Sequence, residues 1–221
     1  PYRVEQRFNE INRLFDFLIR EALQAHLGPG SEAVRFGTPV QDGRPEDFIV
    51  AVTWLATRMG VAEGVMDRPP DDNDAGVDVV GWKHFADHRT GFPVILVQGT
   101  TRLDYEEKVG RIPTNSWKRW LDLGPEPGTG LAIPFMVQVG DDRWMKVTTE
   151  TGILFDRLRI CDLLRTRDLS HFGEWTELAT VTAAERTRLA IVETKSTASK
   201  KVRVAKPRRQ KDSVHRTNQR R

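Results

Sequence analysis

The chain of 221 residues contains very little cysteine and no long apolar run. Its one cysteine, Cys161, cannot form an internal disulfide, and we expect a reduced, buried thiol of the kind found in the cytoplasm. No stretch approaches the roughly 20 apolar residues needed to cross a bilayer. The N-terminal stretch PYRVEQRFNEINRLF is charged and periodic rather than signal-like. We therefore expect a cytoplasmic protein without membrane association.

Charge is distributed very unevenly along the chain. The segment 195–221 holds 11 Lys and Arg against one acid, Asp212, whereas positions 1–194 hold 23 basic and 30 acidic residues. The C-terminal segment is almost without large apolar residues, so we expect a basic tail that is disordered when free. A polyanion such as nucleic acid is its expected partner. The alternatives are a solubilising tail and a tail that docks on an acidic protein surface.

The body has enough apolar residues for one core, since 38% of the chain is hydrophobic, with 6 Trp and 10 Phe. Apolar spacing predicts a helix from Val4 to Leu27, and proline and acids at 44–47 open a second helix. We also predict strands at 32–40, 77–83, 93–99, 131–139 and 145–149, and helices within 102–121, from 153 onward and at 182–192. The main elements follow the order α-α-β-β-α-β-β-α. This order predicts a single α/β or α+β domain over 1–194 and a tail over 195–221.

Two tryptophans in NSWKRWL, Trp117 and Trp120, are three residues apart beside Lys118 and Arg119. Aromatic and basic residues together are typical of a nucleic-acid surface. Three-residue spacing on a helix is also typical of a buried face. We favour the buried face.

The stretch DAGVDVVGWKHFADHRTGFPVILVQGTT, from Asp74 to Thr101, predicts a β-hairpin. If its turn is centred near His88, paired residues have numbers that sum to about 176. Asp78 would then face Gln98 on the same side of the sheet. A carboxylate beside an amide oxygen at the end of two strands is the beginning of an oxygen-lined Mg²⁺ site. The spacing alone equally fits two polar residues that bind loop amides.

The same stretch resembles a known nuclease core. DAGVDVVGW followed by VILVQGTT is similar to the PD-(D/E)XK nuclease superfamily, and most similar to its Mrr-like branch, in which D-x-G-x-D precedes a strand ending in Gln-x-Lys. Asp74, Gly76 and Asp78 match the first part. The resemblance covers roughly residues 8–108. It implies a restriction-endonuclease-like α/β fold, with a central mixed sheet flanked by helices, to which the composition adds a basic, disordered C-terminal tail.

The resemblance also implies roles for individual residues. Asp78 falls on the metal-binding aspartate, and Gln98 falls on the position where this branch carries glutamine in place of the second acid. The first helix of the family often carries another acid after an aromatic residue. Asp16, after Phe15, is therefore the second candidate for a metal ligand, and Glu21 is held in reserve. The implied cofactor is Mg²⁺ or Mn²⁺.

One position departs from the family pattern. Where the family has lysine two residues after the glutamine, this chain has Thr100. Some family members carry that lysine on the neighbouring helix, and Lys108 in DYEEKVG is the candidate here. The alternative is a solvated helix lysine that pairs with Asp104, four residues earlier. A site without a cation would lack the charge that stabilises the transition state.

Taken together, these residues predict a Mg²⁺-dependent endodeoxyribonuclease of a bacterial restriction or antiphage defence system. Asp78, Gln98 and Lys108 are the expected catalytic residues, and DNA is expected to bind the active-site face and the tail. A protein partner in a defence complex and an oligomer both fit this reading. Two alternatives stay open. One is a catalytically degenerate nuclease fold that acts as a nucleic-acid-binding or assembly subunit, and the other is a protein-interaction module.

Overall fold

The computed structural model describes residues 2–65, 74–137, 140 and 142–204, with side chains described from Asn9 to Ala190 within those ranges. The chain divides into two compact units, Pro1–Leu169 and Ser170–Arg221. The first unit contains a β-sheet and its helices, and the second contains one long helix. The boundary that we predicted at residue 194 falls inside that helix.

The first unit alternates helices and strands along most of its length. Its helices are α1 (Tyr2–Leu27), α2 (Phe48–Met59), α3 (Thr114–Trp120), α4 (Asp142–Thr151) and α5 (Arg157–Leu164). Its strands are β1 (Ser31–Arg35), β2 (Val79–Lys83), β3 (Val94–Gly99), β4 (Gly128–Ala132) and β5 (Ile153–Phe155). A short 3₁₀ helix spans Tyr105–Lys108, and α6 (Gly173–Val204) belongs to the second unit.

The five strands form one mixed sheet in the order β1-β2-β3-β4-β5. β1, β2 and β3 are antiparallel neighbours, whereas β4 and β5 run parallel to β3. The predicted hairpin pairing is confirmed, because Val80 pairs with Leu96 and Trp82 pairs with Val94. The predicted α/β class with a mixed sheet flanked by helices is confirmed as well.

The two faces of the sheet bury different helices. Val79 and Val97 face α1, whose residues Phe15, Ile19 and Leu23 pack against them together with residues of α5. On the opposite face, side chains of β2 and β3 pack with those of α2 and α3. This alternation is the period-two pattern of a strand with helices on both sides.

The tryptophans of α3 are core residues, as predicted. Trp117 is fully buried and Trp120 is 6% exposed, and their ring centroids lie 5.5 Å apart in an edge-to-face arrangement. Both rings also contact Phe48 of α2 edge-on. They are therefore not available as a stacking surface for nucleic acid.

The predicted order is wrong between residues 142 and 164. The stretch MKVTT, predicted as a strand, lies within α4, and ILF, predicted to open a helix, forms β5. Val147 and Thr151 are the buried residues of α4, one helical turn apart. The β-branched run favours a strand locally, but packing of these two side chains selects the helix. The strand predicted at 131–139 ends at Ala132, and residues 138–139 lie outside the described residues.

Helix α6 is much longer than the predicted helix at 182–192. Its backbone is helical to Val204, so the beginning of the predicted disordered tail, 195–204, is helical in the structure. The rest of that tail, 205–221, lies outside the described residues. Cys161 lies on the exposed side of α5, so the prediction of a buried thiol is wrong. No helix in the described part of the chain is long and apolar enough to cross a membrane.

Candidate active site

Asp78 lies directly before the first residue of β2, and its backbone is bonded on both sides, to the segment after β1 and to β3. Its backbone N–H donates to the carbonyl of Val97 at 2.9 Å, and its carbonyl accepts from the N–H groups of Phe36 at 2.7 Å and Gly37 at 3.0 Å. The sheet therefore fixes the position of Asp78 on both sides. The residue lies where the sequence predicts, one position before the paired residues Val79 and Val97.

The side chain of Asp78 points into space left by two glycines. Its Oδ2 accepts a hydrogen bond from the N–H of Gly99 at 2.7 Å. A Cβ atom at Gly37 would lie 2.6 Å from Asp78 Oδ1, closer than side-chain carbons approach oxygen. Position 37 must therefore remain glycine for the carboxylate to keep this orientation.

A second carboxylate converges on the same place. Asp16, on the buried face of α1, is only 9% exposed. The position that a Cβ atom of Gly99 would occupy lies 3.3 Å from Asp16 Oδ1 and 3.7 Å from Asp78 Oδ2. The atom nearest to that position is Ile19 Cδ1 at 2.6 Å, so glycine at position 99 allows α1 and both acids to approach β3 closely. Asp16 was predicted from the Phe15-Asp16 pair, and the structure brings it to Asp78.

These two acids border a cleft of about 200 Å³. Its walls come from α1, from the loop after β1 and from the segment that follows β3. The lining residues are Asn12, Phe15, Asp16, Thr38, Asp78, Gly99, Thr100, Thr101, Arg102 and Lys108. We call it the carboxylate cleft.

Burial and mutual repulsion make the carboxylates of this cleft hard to ionise. Burial, then the charge of Asp78, raises the pKa of Asp16 to about 8, although Arg35 opposes the shift. Burial likewise raises the pKa of Asp78 to about 7, against the hydrogen bond from Gly99. A neighbouring positive charge would favour the ionised forms of both acids.

Lys108 is one of two basic residues that line this cleft, the other being Arg102. The charge of Lys108 lowers the pKa of Asp78. The alternative partner, Asp104, is held by Arg102, whose Nε lies 2.8 Å from Asp104 Oδ1. Thr100, which takes the usual place of the lysine, is 8% exposed and its Oγ1 accepts from the N–H of Arg102 at 3.2 Å.

Glu21 is engaged elsewhere. Its carboxylate is 2% exposed and lies 2.8 Å from Arg20 and 2.7 Å from Arg167. It does not line the carboxylate cleft. The reserve candidate for a metal ligand is therefore an ion-pair partner that ties α1 to the segment after α5.

Gln98 is close in sequence to the cleft but lines a different cavity. Its neighbour Gly99 donates its N–H to Asp78 Oδ2, and Gln98 itself borders a cavity along β4, together with Lys108. Gln98 is 5% exposed, its Oε1 has no hydrogen-bond partner among the described residues, and its Nε2 lies 3.3 Å from the position that a Cβ atom of Gly76 would occupy. The carboxamide therefore lies beside the loop that leads to Asp78, but Gln98 does not line the carboxylate cleft. Lys108 borders both the cleft and the cavity.

One acid near the site received no role from the sequence. The charge of Asp74 raises the pKa of both Asp16 and Asp78, and its Oδ1 accepts from the N–H of Gly76 at 2.9 Å. The signal was present, because Asp74 opens the D-x-G-x-D pattern. The pattern alone does not say that the loop turns this carboxylate toward the other two.

The donors of the carboxylate cleft suit a hard divalent cation. Two carboxylates that border one small cleft match the one or two acids with which proteins bind Mg²⁺ beside several waters. Within the described ranges, no group of three or more His, Cys, Asp or Glu residues could hold a metal ion. The arrangement therefore fits a site that is completed by water and substrate oxygens rather than an all-protein cage.

Comparisons with known proteins do not add to this picture. No protein-family model, no curated protein and no solved structure matches the chain. The function must therefore be argued from the site itself.

Proposed function

We propose that the protein is a Mg²⁺-dependent nuclease that hydrolyses DNA phosphodiester bonds in the carboxylate cleft. The observation that carries the proposal is that Asp16 and Asp78 border one small cleft that Lys108 also lines. Two carboxylates and one lysine around a small polar space are the groups that metal-assisted phosphoryl transfer requires.

The fold is consistent with this proposal. A mixed sheet with helices on both faces agrees with the restriction-endonuclease-like fold that the sequence resemblance implies. We propose that fold for the unit Pro1–Leu169. Asp78 lies directly before the first residue of β2, and Asp16 of α1 borders the same cleft. This arrangement supports the proposed fold.

Four residues of the cleft have a defined part in the proposed reaction. Asp16 and Asp78 would hold the Mg²⁺ ion, which when bound supplies Lewis-acid polarisation of the phosphoryl oxygen and activation of water. The N–H of Gly99 orients the Asp78 carboxylate through its hydrogen bond. Lys108 stabilises the negative charge that develops on the phosphoryl group, which is the largest single contribution in many such sites.

DNA as the substrate is supported by the charge distribution of the chain. The segment 195–221 carries ten more positive than negative charges, which favours a polyanion. Such a segment would hold the substrate without reading its sequence, because contacts to phosphates carry no sequence information. We further propose a role in bacterial restriction or antiphage defence, which rests on the Mrr-like resemblance.

The second candidate is a catalytically degenerate nuclease fold that binds nucleic acid or assembles a complex. Thr100 in place of the usual lysine and the small number of acids in the cleft favour it. Lys108 argues against it, because its charge reaches Asp78 from a different segment. The two candidates differ in catalysis and not in binding.

The test is cleavage of supercoiled plasmid and of single-stranded DNA with Mg²⁺ or Mn²⁺. Wild type is compared with Asp78→Ala and with the control Asp122→Asn, which changes an exposed acid outside the cleft. Cleavage that is lost only in Asp78→Ala supports the proposal. DNA binding without cleavage in the wild type supports the degenerate candidate, and cleavage that survives Asp78→Ala refutes the proposed site.

A further inference from the structure

Arg102, the second basic residue that lines the carboxylate cleft, lies on a segment whose backbone is fixed on two sides. The N–H of Thr100 donates to the carbonyl of Ala132 in β4 at 3.0 Å. Thr101 Oγ1 donates to Asn12 Oδ1 in α1 at 2.7 Å, and the N–H of Arg102 itself donates to Thr100 Oγ1 at 3.2 Å. The segment that follows β3 therefore holds Arg102 at a defined place beside the two acids.

The guanidinium of Arg102 already holds a carboxylate. Its Nε donates to Asp104 Oδ1 at 2.8 Å, and its Nη2 donates to Asp104 Oδ2. Two bonds from one guanidinium to two oxygens of one group are the arrangement with which arginine binds either a carboxylate or a phosphate. Asp104 therefore occupies the two donors that a phosphate would use.

This ion pair lies at the mouth of the cleft. The side chains of Arg102 and Asp104 are 61% and 43% exposed, and Leu103 between them is 81% exposed, whereas Asp16 is only 9% exposed. An ion pair as exposed as this one contributes little to stability, because water and salt screen it. A phosphate can therefore replace the Asp104 carboxylate without disturbing the fold.

The difference in exposure also indicates which phosphate this would be. A DNA strand whose scissile phosphate lies at the buried acids leaves the cleft through its mouth, where Arg102 lies. The group that meets the guanidinium there is a phosphate further along the same strand. Lys108 and Arg102 would then contact different phosphates of one substrate.

We propose that Arg102 binds the backbone phosphate next to the scissile one, and that Asp104 takes the place of this phosphate while no DNA is bound. This inference rests on the proposed nuclease function and names a substrate contact at the mouth of its cleft. A phosphate contact fixes the position of the strand on the protein without reading its sequence. Arg102 is thus a substrate-binding residue, and Lys108 remains the contact to the reacting phosphoryl group.

The experiment measures the affinity of the full chain for a short fluorescent DNA duplex by anisotropy in EDTA, from about 50 to 200 mM salt. EDTA removes the metal, so binding is observed without cleavage. The basic tail is the same in every protein compared, so a difference between variants reports on the substituted residue. We expect Arg102→Met to weaken binding by about five- to tenfold near 0.1 M salt, and to lower the slope of log affinity against log salt by about 0.9, the value for one phosphate contact. Unchanged affinity and slope would overturn the proposal.

Asp104→Asn tests the masking role of the carboxylate. The amide should compete less well for the guanidinium, so we expect DNA to bind about threefold or more tighter. In the Arg102→Met background the same change should have little effect, because no guanidinium is left to release. An equal gain in both backgrounds would mean that Asp104 only repels DNA, and would refute its assigned role. Arg102→Lys, which keeps the charge but not the two-pronged donor, should restore the slope and only part of the affinity.

The loop between β2 and β3 offers a matched control pair. Asp87 and Arg89 are also an exposed acid and arginine two residues apart, with 3.9 Å between Arg89 Nε and Asp87 Oδ2, and neither lines the carboxylate cleft. Arg89→Met and Asp87→Asn change the net charge in the same way as the test variants. We expect each to change the affinity by less than about twofold, since exposed charges away from the bound strand are screened. An effect of Arg89→Met as large as that of Arg102→Met would refute a contact at the cleft.

The outcomes also separate this inference from the proposed function. Weaker binding by Arg102→Met, in a protein that does not cleave plasmid DNA, would retain the phosphate contact and remove the nuclease. Cleavage by a protein whose DNA affinity and salt slope are unchanged in Arg102→Met would retain the nuclease and remove the contact. A wild type that shows no saturable DNA binding would overturn the contact, whatever the cleavage assay shows.

Discussion

Replacing Asp78 with asparagine should make the protein more stable at pH 8 than the wild type. Burial and repulsion raise the pKa of Asp78 from 3.8 to about 7 and that of Asp16 to about 8. An acid whose pKa is raised in the folded state stabilises the fold fully below its unfolded pKa, and this contribution is lost as the pH rises through the folded value. Between about pH 4 and 7, the wild type therefore loses stability, because Asp78 ionises in the unfolded chain while it keeps its proton in the folded protein. Asp16 extends this loss to about pH 8.

The size of the effect follows from the shift. One pKa unit corresponds to about 1.4 kcal/mol, so the shift of Asp78 alone corresponds to roughly 4 kcal/mol. The two shifts do not simply add, because the shift of Asp16 already includes the repulsion by Asp78. Asparagine removes the charge and keeps an oxygen that can accept the hydrogen bond from Gly99. We therefore expect Asp78→Asn to be more stable than the wild type by about 2–4 kcal/mol at pH 8, with little difference at pH 4.

The assay is urea unfolding followed by tryptophan fluorescence at pH values from 4 to 9, since Trp82 and Trp117 are fully buried. Asp122→Asn is the matched control, because Asp122 is exposed and lies in the left-handed region that asparagine tolerates. Adding Mg²⁺ should raise the stability of the wild type at pH 8 and leave Asp78→Asn unchanged. A wild-type stability that is flat across this range, or an Asp78→Asn protein that is less stable at pH 8, would refute the reasoning.

Three further predictions concern neighbouring residues. Lys108→Met should lower the rate of DNA cleavage by about 100-fold, the cost of losing one transition-state contact, while Lys146→Met on the exposed side of α4 should not, as single-turnover rates would show. Glu21→Gln should cost about 1–3 kcal/mol in urea unfolding, because it weakens two ion pairs, yet leave cleavage intact; loss of cleavage would mean that Glu21 belongs to the site. Gly99→Ala should weaken Mg²⁺ binding by about tenfold or more in a calorimetric titration, because its Cβ would lie 2.6 Å from Ile19 Cδ1 and would displace α1 together with Asp16. Gly173→Ala meets no atom within 4 Å and should have no effect.

The hairpin and its acid were predictable because local rules determine them. Two dense apolar stretches on either side of a polar turn predicted the register that pairs Val80 with Leu96. Asp16 was predicted on a different ground, since the resemblance implies an acid after an aromatic residue on the first helix. Only the hairpin register follows from strand periodicity alone.

The destination of Gln98 was not predictable in this way. Strand alternation gives the face of a residue inside a ladder, but Asp78 lies just before β2, where its carboxylate turns to the N–H of Gly99. The parity rule places the two residues on one face, whereas in the structure the Asp78 carboxylate binds the N–H of Gly99 and Gln98 Nε2 lies beside Gly76. Only the tertiary structure shows that Gly37 and Gly99 are neighbours of Asp78.

The wrong predictions for α4 and β5, where a strand and a helix were expected, have a different cause. Val147, Thr148 and Thr149 favour a strand by propensity, and only the packing of Val147 and Thr151 selects the helix. The strand β5 has only three residues, so no alternation can be read from it. Short elements that are specified by tertiary contacts are the ones that single-sequence patterns miss.

The central claim is that Asp16 and Asp78 together hold a divalent cation, and the most direct test is the binding of Mn²⁺ followed by electron paramagnetic resonance at pH 7.5. We predict saturable binding to the wild type and to Asp122→Asn, with at least about tenfold weaker binding to both Asp16→Asn and Asp78→Asn. Mg²⁺ should displace the bound Mn²⁺. Binding that is the same in all four proteins would contradict the account, because the cation would then lie outside the carboxylate cleft.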